Sequence, residues 1–116
     1  MPRFRTVLIA DDDPDLGEVM AGALADAGYT VLTAANGYDA IRVLADNWVT
    51  LLITDIRMPG IDGFELAHQA KVMRPTIKVI YLGGAAVQTD GPVHGPVIQK
   101  PMRIADLLGE VQRQLA

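Results

Sequence analysis

The sequence contains no cysteine. Disulfides, thiolate metal sites and cysteine nucleophiles are therefore excluded, and the absence fits a reducing compartment. No apolar run approaches the roughly 18 residues that a membrane span requires. The opening stretch MPRFRTVLIADDD is a poor secretory signal, because its apolar run is short and ends in three acids. Together these absences set the expectation of a cytoplasmic protein. The chain also lacks a basic cluster: its 10 Lys and Arg are dispersed, without interleaved aromatics, at a formal net charge of -4. Direct binding of nucleic acid is not expected from that distribution. No internal repeat, low-complexity segment or linker interrupts the chain.

What is present is an ordinary globular balance. Half of the 116 residues are apolar and 21% are charged. That length predicts one domain spanning 1–116, large enough for a real core.

Apolar runs alternate with helical periodicity. Thr6 to Ala10, Thr30 to Ala34, Val49 to Thr54 and Ile77 to Leu82 read as strands, and Val97 to Gln99 as a short fifth. Leu16, Val19, Met20, Ala23, Leu24 and Ala27 recur at helical spacing, with Gly28 placed as a C-terminal cap. Ala40, Ile41, Leu44 and Ala45 mark a second helix. Phe64, Leu66, Ala67, Ala70 and Met73 mark a third, ending before Arg74-Pro75. Ile104, Leu107, Leu108, Val111 and Leu115 mark the last. This alternation predicts an α/β fold with a doubly wound parallel sheet and helices on both faces. By the same alternation a helix belongs between Gly83 and Pro96. Four Gly and two Pro in those fourteen residues are poor helix material, so that helix is expected to be shortened or absent.

The charges fall at strand ends. Asp11, Asp12 and Asp13 follow the first strand, Asp55 the third and Lys100 the fifth. In a sheet of order 2-1-3-4-5 the C-terminal strand ends line one edge, where strand order reverses between the first and third strands and ligands bind. Several carboxylates brought together there repel, and at least one pKa rises. A hard cation such as Mg²⁺, which prefers oxygen ligands and keeps positions open, relieves that repulsion. A carboxylate beside such a cation, with a Lys opposite, suits phosphoryl transfer to the carboxylate. Each piece also has a plain structural explanation. Asp13-Pro14 is a good helix start, a lone Asp after a strand is commonly a turn residue, and a Lys before Pro is commonly a surface residue. The joint placement at one sheet edge is what favours chemistry.

The segments VLIADDDPDL, LLITDIRMPGIDGFEL and VIQKP resemble the receiver domains of two-component response regulators, over essentially the whole chain. The resemblance implies a flavodoxin-like sheet of five parallel strands. It also implies phosphorylation of Asp55, with Mg²⁺ held by Asp11, Asp12, Asp55 and the backbone carbonyl of Arg57. Lys100 would then bind the phosphoryl group, and Pro101 would follow a cis peptide bond. Met58-Pro59-Gly60 and Asp62-Gly63 match the family's loop after the third strand, where Gly60 and Gly63 are expected to supply backbone freedom. The implied partner is a histidine kinase or histidine phosphotransfer protein, with the downstream partner or output domain left open. No enzymatic turnover is implied beyond the chain's own phosphorylation and dephosphorylation.

Two positions depart from the family. Gly83 stands where a receiver carries Thr or Ser, and Val97 where it carries Tyr or Phe. Those two side chains form the family's switch, and here the pair is degenerate. The missing hydroxyl is one neutral hydrogen bond, worth about 0.5–1.5 kcal/mol net. Its loss should slow transfer modestly and weaken signalling more, since an equilibrium shifts only through differential contacts. The alternative is therefore a phosphorylation-independent pseudo-receiver acting as an interaction module. A third possibility, a haloacid-dehalogenase-type phosphohydrolase using Asp11 and Asp13, leaves Asp55 unexplained. Asp15, Glu18, Gly22 and Ala25 are expected to be exposed on the first helix and available for docking. His68 is expected on a surface, His94 in the irregular loop, and Trp48 as a partly buried edge residue. None of these three is assigned a role.

Overall fold

The computed structural model describes residues 5–84 and 94–116. Five parallel strands form one sheet in the order β2-β1-β3-β4-β5. They are β1 (Thr6–Ala10), β2 (Thr30–Ala34), β3 (Leu51–Asp55), β4 (Lys78–Gly83) and β5 (Val97–Gln99). The helices are α1 (Pro14–Asp26), α2 (Gly37–Asp46), α3 (Gly63–Met73) and α4 (Ile104–Gln114). The shortened or absent helix expected between β4 and β5 falls largely on 85–93, outside the described residues.

The central strands are buried on both faces, which is why they read as unbroken apolar runs. Leu8, Leu52, Val79 and Tyr81 face one core with Ala40, Leu44, Leu66 and Ala70 of α2 and α3. Val7, Ile9, Ile53, Ile80 and Leu82 face the other with Met20 and Leu24 of α1 and Leu107 and Val111 of α4. Period-2 alternation along each strand splits the core in this way. The outer strands β2 and β5 are only partly covered.

Local chemistry fixes the helix ends. Asp13 caps α1: its carboxylate accepts from the Asp15 and Leu16 N–H groups, and Pro14 occupies the first turn. Asp62 caps α3 by accepting from the Glu65 N–H at 2.9 Å. Gly28, just past α1, has φ +99°, which glycine adopts without strain.

Three expectations need correction. The third strand runs Leu51–Asp55 rather than Val49 to Thr54, with the Thr50 N–H and hydroxyl both donating to the Thr6 carbonyl at its start. Asp55 is the last residue of β3, not the first after it. Trp48 is 65% exposed, with the Arg74 guanidinium 4.6 Å from its ring centre. Gly60 does use left-handed backbone (φ +83°), but Gly63 does not. Gly63 is small because a Cβ there would collide with the Asp55 carbonyl.

Candidate functional site

Parallel pairing brings the predicted residues to one edge. The β1–β3 register aligns Ala10 with Thr54, so Asp11 leaves the sheet beside Asp55. The Asp11 N–H donates to the Ala34 carbonyl at 3.1 Å, which turns its side chain inward. Asp11 is 4% exposed, Asp55 is half-buried and Asp12 is exposed. Carboxylate oxygens of all three lie within 4.8 Å of one another.

Lys100 reaches this cluster from the far side of β4. The Gly83 carbonyl accepts from the Lys100 N–H at 2.7 Å, which extends the β4–β5 pairing by one residue. The Lys100–Pro101 bond is cis. The Lys100 ammonium stands 3.1 Å from Asp55 Oδ2 and 3.6 Å from Asp11 Oδ2.

The electrostatics are those of a partly desolvated charge cluster. Burial raises the Asp11 carboxyl above its ordinary range, outweighing the Asp13 N–H and the Lys100 charge, which lower it. Burial by itself would lower the Lys100 ammonium. The hydrogen bond to Asp55 and the charges of Asp11 and Asp55 outweigh it, so the ammonium is held above its ordinary value. Asp11 Oδ1 accepts the Asp13 N–H at 2.9 Å, whereas its buried Oδ2 has no hydrogen-bond partner among the described residues. The Lys100 ammonium at 3.6 Å offsets only part of the cost of that buried oxygen, and a directly bound cation would offset more. Three carboxylates with one oxygen unsatisfied form a hard-oxygen donor set, and that fits Mg²⁺.

The loop after β3 closes the rim. Arg57 is exposed, while Met58 is buried in the core at 8% exposure and anchors the turn. The Gly63 N–H donates to the Ile56 carbonyl at 2.8 Å, which locks α3 against the end of β3. Gly83 ends β4 and contributes only backbone here. Val97 is 37% exposed on β5. Asp15, Glu18, Gly22 and Ala25 are all exposed along α1. A groove of about 480 Å³ runs between α1 and β2 beside Asp11, lined also by Pro14, Gly17, Glu18 and Ala21.

Sequence reasoning missed the contacts of Tyr81. Its ring is fully buried against Phe64, with centroids 5.0 Å apart, and its hydroxyl accepts from the His94 N–H at 3.3 Å. A Tyr in an otherwise aliphatic strand was the available signal, because a buried hydroxyl needs a partner.

The comparisons with known proteins agree with this geometry. Residues 7–112 match the model of the response regulator receiver domain. The chain is 35% identical to the response regulator receiver protein CpdR of Brucella abortus, over 97% of this chain and 98% of that one. It is 34% identical to the DNA-binding transcriptional regulator NtrC of Escherichia coli, where it covers 95% of this chain but 24% of that longer protein. A crystal structure of a response regulator receiver protein from Sinorhizobium medicae superposes with a TM-score of 0.88 at 29% identity, covering 97% and 95% of the two chains. The receiver domain of the hybrid histidine kinase CckA superposes with a TM-score of 0.85 at 31% identity, covering 96% and 99%.

Proposed function

The chain belongs to the response regulator receiver family, and on that premise we propose that it accepts a phosphoryl group on Asp55 from a histidine kinase or histidine phosphotransfer protein. The observation that carries this is the placement of the Lys100 ammonium, 3.1 Å from Asp55 and 3.6 Å from buried Asp11, at the open edge of the sheet. Asp11, Asp12, Asp55 and the Arg57 carbonyl would hold Mg²⁺, which when bound neutralises charge on the phosphoryl oxygens.

The chain's own residues have distinct tasks. An Asp55 carboxylate oxygen forms the new bond to phosphorus. The bond from phosphorus to the donor imidazole nitrogen breaks as it forms, and the imidazole leaves with its electron pair. Lys100, already bonded to Oδ2 of Asp55, is placed to follow the added oxygens and stabilise their charge. Asp11 stays unphosphorylated, because it is buried and tied to the Asp13 N–H. No separate substrate is turned over.

Gly83 and Val97 favour a second reading, a module that binds its partner without phosphorylation. Beryllofluoride and Asp55→Asn would leave partner binding unchanged in that case. The primary reading is tested with acetyl phosphate and Mg²⁺, followed by intact mass. Wild type should gain one phosphoryl group and Asp55→Asn none. Equal behaviour of the two proteins would overturn it.

A further inference from the structure

The chain has two histidines, and neither enters the chemistry above. The fold nevertheless brings them together. His68 is exposed on α3, and His94 lies just before β5. Their ring centroids are 6.3 Å apart, with planes inclined by 34°.

Both imidazoles hang from well-fixed backbone. The His94 N–H is held by the Tyr81 hydroxyl. The next residue, Gly95, backs onto the Val79 carbonyl with no room for a Cβ. The Pro96 carbonyl then accepts the Tyr81 N–H at 2.9 Å. Tyr81 in turn packs on Phe64, one helical turn before His68 on α3. The aromatic pair thus ties α3, which carries His68, to the chain entering β5, which carries His94.

A separation of 6.3 Å is compatible with simple ring packing. It also lies at the far limit for a shared metal ion, reached when the two nitrogens face each other across it. An imidazole nitrogen binds such an ion at about 2.1 Å, so the ion sits about 3.2 Å from the ring centroid and two rings on one ion can be up to about 6.4 Å apart. Small side-chain rotations cover the narrower angles. We propose that His68 and His94 form a two-imidazole site for a divalent transition-metal ion of the Ni²⁺, Cu²⁺ or Zn²⁺ class.

The donor chemistry separates this site from the acidic cluster. Imidazole suits those ions, whereas Mg²⁺ takes oxygen ligands and belongs with Asp11, Asp12 and Asp55. Among the described residues no third His, Asp or Glu joins the pair. The described residues thus supply two imidazoles, and two such ligands give modest affinity. A bound ion would pin α3 to the segment leading into β5, the strand that delivers Lys100.

The test is calorimetric titration of the full, tag-free chain with Ni²⁺ and Cu²⁺ in saturating Mg²⁺, which occupies the acidic cluster. Imidazole proton resonances are followed in parallel. The expected result is one ion per chain, with both imidazoles broadened together and an affinity at least tenfold weaker in His68→Gln and in His94→Gln. Thermal midpoint should rise with Ni²⁺ in wild type and not in the double variant. Circular dichroism checks that the variants fold. Absence of binding below millimolar ion would overturn the proposal. So would wild-type affinity in either single variant, or a site retained in the double variant.

Discussion

Asp11 combines a buried carboxylate with an oxygen that lacks a hydrogen-bond partner among the described residues. Its pKa is higher in the folded chain than its ordinary value of 3.8. The folded state therefore holds that proton more tightly, and the penalty for ionising Asp11 appears as pH rises from the ordinary value through the folded one. At neutral pH without divalent ions, Asp11→Asn should stabilise the protein by about 1 kcal/mol, of the order of one relieved buried polar group. Added Mg²⁺ should then raise the thermal midpoint of wild type more than that of the variant. A variant less stable than wild type without Mg²⁺ would contradict this account. Lys100 has the opposite sense. Its pKa is raised above 10.5, so its contribution is complete below that value and is lost as pH rises through the folded value. Lys100→Ala should cost about 1–2 kcal/mol in urea denaturation, between the ranges for exposed and buried pairs. It should also slow labelling of Asp55.

At the scale of elements, the join between β3 and α3 is the most constrained. Gly63 leaves no room for a Cβ beside the Asp55 carbonyl and the Ile56 Cα, and backbone atoms cannot swing aside as a side chain can. Gly63→Ala should therefore cost about 3 kcal/mol or more in stability and reduce labelling, because relief must displace the end of β3. An unchanged denaturation midpoint would contradict it. Gly83→Thr restores one hydroxyl and should change the labelling rate by less than about tenfold, since one neutral hydrogen bond is worth about 0.5–1.5 kcal/mol. A far larger change would show that the missing hydroxyl limits the chemistry. Sequence and structure part company at these joins. The five strands and the site edge were readable because apolar runs and helical periodicity report burial directly. The close packing at Gly63, the exposure of Trp48 and the Tyr81–His94 contact were not, because each depends on how the chain folds back on itself and not on local periodicity. The same holds within the acidic run. Asp11 and Asp12 are equivalent as letters, and only the turn after β1 buries one and exposes the other.

For the whole molecule, the sheet order places charges from three separate strand ends in one partly desolvated cluster. Asp55, the Lys100 ammonium and the carboxylates of Asp11 and Asp12 lie together at this edge, whereas Gly83 offers no hydroxyl and Val97 no aromatic ring. Among the described residues no helix is long and apolar enough to cross a membrane. The central claim is that Asp55, and no neighbouring carboxylate, takes the phosphoryl group. The direct measurement is to phosphorylate the chain with acetyl phosphate and Mg²⁺, reduce the acyl phosphate with borohydride, and map the modified residue by peptide mass spectrometry. The account predicts modification at Asp55 alone, abolished without divalent ion. Modification at Asp11, Asp12 or Asp13 instead, or none under conditions where Lys100 and the acidic cluster are intact, would contradict it.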